Sequence, residues 1–242
     1  MDKTLINEIM LKAYPNEGVC GINADGEVIE FENIAEDPRN DFRIDSGSFH
    51  KARIELLIHS HPTHLNMSKM VSGKPIDPRT PSMSDMKTQQ NLNIPFGIVS
   101  TDGKEVSEIL MFPDLDAPLL GLPYVYGVYD CFSIVRRYFY QKLDKVIFDY
   151  PRDYNGLFDE FSLYRKHLQE SDFVEIPLWS EWKDGDLGVL KLRSRVENHA
   201  ILYDDGRFIH HVNGRDSESM KFEDWKKRIT MRLRHKDFID GQ

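Results

Sequence analysis

The spacing of apolar residues predicts short helices and strands in the first half of the chain. Over residues 2–14 the apolar positions recur at intervals of three and four, which indicates an amphipathic helix that ends at Pro15. Apolar runs on both sides of residues 23–27 predict a β-hairpin. A second helix is expected over residues 46–56, followed by an apolar strand over residues 57–62.

The pattern after residue 62 predicts a loop and then two more strands. Glycine and several prolines between residues 62 and 82 indicate a surface loop. His64 lies in this loop and is expected to be a surface histidine without a role in the site. Apolar runs over residues 96–100 and 107–112 predict strands on either side of an Asp102-Gly103 turn. The first half is therefore expected to form a sheet with helices.

A proline-containing acidic segment, residues 113–118, predicts a boundary between two domains. We place the domains at residues 1–114 and 118–242. Charge is also unevenly distributed: residues 1–117 carry 11 basic and 19 acidic side chains, a balance of -8, whereas the remainder carries 20 and 21, a balance of -1. Such asymmetry agrees with two modules.

In the second half, too, the spacing of apolar residues predicts both helices and strands. Apolar residues at three- and four-residue spacing predict a helix that begins near Cys131. A further helix is expected over residues 157–169, and strands over residues 186–192 and 229–233. The whole chain is thus expected to be of mixed α+β and α/β class.

Composition narrows the class of protein. With 40% hydrophobic and 29% charged residues the chain has a soluble globular composition, and its net charge of -9 argues against a nucleic-acid partner. No apolar run reaches the about 18 residues of a membrane helix, and no signal peptide is recognisable, so we expect no membrane span. Cys20 and Cys131 provide no disulfide framework, so synthesis in a reducing cytosol is expected.

Cys131 is a candidate nucleophile. At the start of a helix the free backbone N–H groups and the helix dipole favour a thiolate, although a lone cysteine is more often a small buried apolar residue. Downstream, apolar runs around a turn at residues 204–207 predict a hairpin that brings His199 beside His210 or His211. A cysteine nucleophile, a base and a third group that orients the base are the three parts of a catalytic triad.

The same segment resembles the NlpC/P60 cysteine peptidases over residues 119–235. The resemblance rests on Pro123-Tyr124, Asp130-Cys131, Gly185-Asp186-Leu187, His199 and Phe208-Ile209-His210. It implies a papain-like α+β domain that cleaves the stem peptide of peptidoglycan. In that domain Cys131 is the nucleophile, His199 the base and His210 the third polar residue. Tyr124 then contacts the oxyanion or the substrate.

A second cluster of candidate residues lies in the first half. His59 and His61 alternate along a predicted strand, so they point to the same face and can share one metal ion. Asp85 is a candidate third ligand, at the third position of a helix that Ser82 can cap. Three protein ligands and an open position are typical of catalytic zinc sites, although an isolated His-x-His usually binds no metal.

Glu17, His59-Ser60-His61-Pro62 and Ser82-Met83-Ser84-Asp85 resemble the JAMM (Mov34/MPN) metalloprotease signature over residues 1–114. The resemblance implies a JAMM-like sheet-and-helix domain with Zn²⁺ bound by His59, His61 and Asp85. It further implies Glu17 as the general base and Ser82 as a donor to the oxyanion. Glu17 lies one residue further from Cys20-Gly21 than expected, so either the strand bulges or Glu17 is not the base.

The two domains in one chain resemble the tail tip assembly proteins of lambda-type phages. This resemblance implies a peptidase that meets peptidoglycan stem peptides and other phage tail tip proteins. It also implies a location in the host cytoplasm during synthesis and assembly, and then at the virion tail tip. The alternative is an assembly or structural factor with a fold-stabilising metal site and little catalysis. Three ligands rather than four favour the catalytic interpretation.

Overall fold

The structure is a computed structural model that describes residues 1–63, 70–71, 74–152, 161–168 and 170–239. It divides into two compact units, Met1–Pro113 and Asp114–Gln242. Both units combine helices with a β-sheet. In the described part of the chain, no helix is long and apolar enough to cross a membrane.

The first unit is built on a five-stranded sheet with the order β2-β1-β3-β6-β7, in which β3 and β6 are parallel. In chain order its elements are α1 (Lys3–Ala13), β1 (Val19–Asn23), β2 (Val28–Phe31), α2 (Ser46–Ala52), β3 (Ile54–Pro62), the pair β4 (Met70–Val71) and β5 (Lys74–Pro75), α3 (Met83–Leu92), β6 (Phe96–Thr101) and β7 (Leu110–Phe112). The apolar face of α1 packs on this sheet, where Ile6 and Met10 meet Ile58.

Two predicted elements of the first unit are shorter than expected. The second helix ends at Ala52 rather than at residue 56, because Arg53 adopts a left-handed conformation (φ 52°) and Ile54 begins β3. The last strand begins at Leu110 rather than at residue 107. The predicted helix over residues 2–14 and the hairpin around residues 23–27 are confirmed.

The second unit contains a six-stranded antiparallel sheet with the order β12-β11-β10-β9-β13-β8. Its elements are α4 (Cys131–Leu143), α5 (Leu163–Lys166), β8 (Phe173–Ile176), β9 (Leu187–Leu190), β10 (His199–Asp204), β11 (Arg207–His210), β12 (Glu218–Lys221), α6 (Phe222–Lys226), β13 (Ile229–His235) and a 3₁₀ turn (Lys236–Phe238). The long helix α4 packs on β10, so the start of α4 lies beside the strand that begins with His199.

The helix at Cys131 and the hairpin at His199 are confirmed. The final strand continues to His235, beyond the predicted residue 233. Of the helix predicted over residues 157–169, residues 157–160 and 169 lie outside the described chain, and the described remainder contains only the short helix α5.

Asp186, the acidic residue of the Gly-Asp-Leu motif, has a structural role. Its buried carboxylate accepts hydrogen bonds from Arg232 at 2.8 Å and from Arg234 at 2.7 Å. The Arg232 guanidinium also lies 3.7 Å from the ring centre of Trp182. The motif therefore ties the start of β9 to β13 through a desolvated ion pair.

Candidate active sites

Helix α4 presents Cys131 at its first position. Asp130 caps the helix, because its Oδ1 accepts hydrogen bonds from the backbone N–H groups of Phe132 at 3.0 Å and Ser133 at 2.8 Å. The N–H groups of the first helical turn have no partner within the helix and stabilise negative charge. The sequence thus places the thiol where developing anionic charge is favoured.

Buried charges hold this capping residue in place. Arg152 donates through Nε to Oδ2 of Asp130 at 3.0 Å, and the N–H of Gly127 donates to the same oxygen at 2.8 Å. Burial opposes ionisation of Asp130, but the Arg152 charge and these hydrogen bonds outweigh it and hold the pKa of Asp130 well below its usual range. The start of α4 is therefore rigidly defined.

Cys131 is 8% exposed as a residue, and its sulfur lies 3.3 Å from the Tyr164 hydroxyl. Burial raises the pKa of Cys131, and the charge of Asp130 adds to the effect. Hydrogen bonds from Tyr164 and from the backbone of Ala200 lower the pKa and only partly offset this rise. The thiol consequently needs a base to become a nucleophile.

That base is available on β10. Nε2 of His199 lies 3.0 Å from Nδ1 of His210, so the predicted pairing across the hairpin is present and the partner is His210 rather than His211. Burial lowers the pKa of His199 to about 3, and the neighbouring histidines add to the effect. His199 is therefore neutral near pH 7 and able to accept a proton.

Two tyrosines lie beside residues of the candidate site. The ring of Tyr124 packs edge-on against buried His211, with 5.2 Å between ring centres, and its contact with the oxyanion or the substrate stays a prediction. The hydroxyl that meets the Cys131 sulfur belongs to Tyr164, in α5. No spacing rule links residue 164 to residue 131, so the sequence held no signal for this contact.

A cleft opens beside Cys131. Its walls are largely aromatic and apolar, formed by Tyr126, Phe132, Tyr150, Phe161, Leu163, Tyr164 and Val196. Glu197 and Asn198, which precede His199, supply polar groups. Cys131 therefore borders a cleft whose lining is mostly apolar.

The first unit gathers four buried ionisable side chains at the end of β3. Nε2 of His59 and Nε2 of His61 are 3.1 Å apart, as expected for side chains that share one face of a strand. Oδ1 of Asp85 lies 3.2 Å from Nε2 of His59, and Oδ2 of Asp85 lies 3.5 Å from Nε2 of His61. Ligand atoms of Glu17 and both histidines lie within 4.8 Å of one another.

Local hydrogen bonds orient these groups. Nδ1 of His61 donates to the Pro78 carbonyl at 2.8 Å, so in neutral His61 the lone pair is on Nε2 and faces the cluster. Asp85 accepts the Ser82 N–H at 2.7 Å, and the Ser82 hydroxyl accepts the Asp85 N–H at 3.1 Å. The predicted capping of α3 by Ser82 is confirmed, and it fixes the Asp85 carboxylate.

The donor set has the dimensions of a metal site. Two atoms bound tetrahedrally at zinc–nitrogen distances of 2.0–2.1 Å are about 3.3 Å apart, close to the spacings among His59, His61 and Asp85. Burial raises the pKa of Glu17 to about 8. For His61 burial opposes the cation, but Asp85 and then Glu17 outweigh it and raise the pKa to about 9.

Glu17 reaches this cluster without a bulge at its own position. It precedes β1, its N–H donates to the Pro38 carbonyl, and the register of β1 with β3 shifts only further on, between Ile22 and Asn23. The neighbouring Gly18 is paired with Ser60 in both directions, which brings Glu17 alongside β3. His64 lies outside the described residues.

Comparisons with known proteins agree with the geometry of the second unit. Residues 121–234 match the model of the NlpC/P60 family. The tail tip assembly protein K of Escherichia phage N15 is 27% identical over 254 residues, an alignment that covers 98% of this chain and 96% of the relative. Residues 121–234 are therefore similar to the NlpC/P60 family, and the chain as a whole is similar to a phage tail tip assembly protein.

Proposed function

We propose that the second unit is a cysteine endopeptidase that hydrolyses peptide bonds in the stem peptides of peptidoglycan. The observation that carries this proposal is the placement of Cys131 at the start of α4, which packs on β10, where His199 pairs with His210 of β11. The match of residues 121–234 with the NlpC/P60 family supports the substrate class.

In the proposed reaction His199 removes the thiol proton, and the Cys131 sulfur attacks the substrate carbonyl carbon. The backbone N–H of Cys131 would stabilise the resulting oxyanion, since the N–H groups of Phe132 and Ser133 already donate to Asp130. His199 then gives its proton to the departing amine, which leaves an acyl group on the sulfur. Water, deprotonated by His199, hydrolyses this thioester and restores the free thiol.

The experiment is mass spectrometry of peptidoglycan fragments after incubation with purified protein. We expect the wild type and the His59→Ala variant to release the same stem-peptide fragments, and the Cys131→Ala variant to release none, because only Cys131 forms the acyl intermediate. Fragment release by Cys131→Ala, or failure of a folded wild type to release fragments, would exclude the proposal.

We further propose that the first unit is a zinc-dependent peptidase or isopeptidase of the JAMM type. His59, His61 and Asp85 would hold Zn²⁺, which would supply Lewis-acid activation of a water molecule. Glu17 would accept a proton from that water, because its carboxyl group lies in the buried cluster with both histidines. The Ser82 hydroxyl, at the start of α3, would donate a hydrogen bond to the substrate carbonyl oxygen.

Zinc binding is tested by isothermal titration calorimetry on the full chain. We expect one zinc ion per chain, and an affinity more than about 100-fold lower in Asp85→Asn, since loss of outer-shell partners alone costs about 10–100-fold. Asparagine retains an oxygen that can accept the Ser82 N–H, so the start of α3 is preserved while the charged ligand is lost. Asp25→Asn, an exposed aspartate paired with Arg53, is the matched control.

Unchanged zinc affinity in Asp85→Asn would remove Asp85 from the ligand set. An absence of zinc binding by the wild type would reject the zinc proposal for the first unit. Neither outcome would affect the cysteine endopeptidase proposal, because its residues lie in the second unit.

The name of the phage N15 relative supports a second candidate, an assembly factor that binds other tail tip proteins. In this case the protein is made in the host cytoplasm and reaches the virion tail tip by binding its partners. Chelation separates the two roles of the first unit, because loss of a structural metal unfolds the unit whereas loss of a catalytic metal abolishes only cleavage.

A further inference from the structure

The far side of the histidine pair contains a buried nitrogen that needs a partner. His210 is 1% exposed, and its Nδ1 faces His199. Its Nε2 is buried and makes no hydrogen bond within the described part of the chain. A buried polar atom without a partner is costly, so a group next to Nε2 is expected to pair with it when the ring carries a proton there.

Glu218 is the group in that position. It lies directly opposite His210 in the pairing of β11 with β12, and its Oε1 is 3.6 Å from His210 Nε2. Movement of the partly exposed Glu218 side chain by less than about 1 Å brings the pair to hydrogen-bonding distance. Arg215 Nη1 approaches the same carboxylate oxygen at 3.4 Å, and the Trp225 ring covers His210 with 5.0 Å between ring centres.

The hydrogen bond between the two histidines permits two arrangements of protons. In one, Nδ1–H of His210 donates to Nε2 of His199, so that neutral His199 carries its own proton on Nδ1. In the other, His210 is protonated on Nε2 and its Nδ1 accepts from Nε2–H of His199. Only the second arrangement leaves a lone pair on Nδ1 of His199, the ring nitrogen that is not engaged with His210 and that would take the Cys131 proton in the proposed reaction.

We propose that Glu218 is a positioning residue for the catalytic pair. Its carboxylate accepts the Nε2–H of His210 and thereby selects the arrangement in which His199 is a base. Two hydrogen bonds then connect the three residues, one from His210 to Glu218 and one from His199 to His210. When His199 takes the thiol proton, the same carboxylate stabilises the resulting cation through His210. This inference rests on the cysteine endopeptidase proposed for the second unit.

The test compares Glu218→Leu with Glu218→Gln, since glutamine keeps an oxygen that can accept the His210 proton and leucine does not. We expect Glu218→Leu to lower kcat for stem-peptide cleavage by about 10- to 100-fold with KM nearly unchanged, less than the about 10²- to 10⁴-fold loss of a general base. Glu218→Gln is expected to restore part of kcat. Glu223→Gln, at an exposed position of neighbouring α6, is the control and should behave as wild type.

Nitrogen-15 NMR of the histidine rings supplies a readout that does not depend on activity. We expect His210 to be protonated on Nε2 in the wild type and in Glu218→Gln, and to populate the Nδ1-protonated form in Glu218→Leu. An unchanged His210 tautomer in Glu218→Leu, or an unchanged kcat, would overturn the proposal. If the wild type cleaves no stem peptide, the NMR result still decides the role of Glu218 separately from the proposed function.

Discussion

Replacement of His199 by alanine is expected to lower kcat/KM for stem-peptide cleavage by at least about 10³-fold, because residues of a catalytic triad act as a unit. Burial and the Asp130 charge raise the pKa of the Cys131 thiol, and the remaining hydrogen bonds offset this only partly. Without the imidazole the thiol stays protonated near pH 7. The measurement is steady-state cleavage of a synthetic stem peptide.

A double variant makes this expectation sharper. Cys131→Ala combined with His199→Ala should be no slower than either single variant, since each already removes the same chemical step. His50→Ala, at an exposed position of α2, is a histidine control that should leave cleavage unchanged. Retention of more than about a tenth of kcat/KM in His199→Ala would show that another group deprotonates Cys131.

Replacement of Asp130 by alanine is expected to destabilise the second unit by about 3–5 kcal/mol, the range found when one partner of a buried ion pair is removed. Among the described residues, the variant leaves Arg152, whose side chain is 3% exposed, with Asp149 as a carboxylate partner. It also removes the cap of α4. The measurement is equilibrium unfolding in urea, followed by tryptophan fluorescence.

Fluorescence isolates this unit because all three tryptophans, Trp179, Trp182 and Trp225, lie after residue 114. Asp130→Asn separates the two effects, since asparagine can still cap the helix but carries no charge for Arg152. A loss of only about 1 kcal/mol in Asp130→Ala would equal the contribution of a helix cap alone and would contradict a stabilising ion pair. Asp224→Ala, an exposed position of α6, is the control.

Much of both sites followed from local sequence patterns. The turn between two apolar runs predicted the hairpin, and the hairpin brought His199 next to a second histidine. Alternation along β3 placed His59 and His61 on one face, and the three-residue interval from Ser82 to Asp85 predicted the cap of α3. These relations depend on the period of a strand or a helix, which a sequence displays directly.

The residues that the sequence did not indicate reach the sites through tertiary packing. Arg152 holds the Asp130 cap from a segment without periodic pattern, and Tyr164 meets the Cys131 sulfur from a short helix. Glu218 faces His210 only because β12 pairs with β11 in one register. The left-handed conformation of Arg53, which ends α2 early, could not be predicted from the sequence either, since arginine has no preference for that conformation.

The Asp85 carboxylate accepts a hydrogen bond from the backbone of Ser82, the cap of α3, and faces two histidines at the same time. The interval between Ser82 and Asp85 is consequently intolerant of insertion or deletion, because one extra residue would remove the cap and turn the carboxylate away in a single event. Ser84, inside the same interval, is exposed and makes only a hydrogen bond of 3.3 Å to exposed Asp41 among the contacts of the described residues, so its identity is less constrained. In diverging copies of this gene, we expect the spacing here to persist longer than the identity of the residues between.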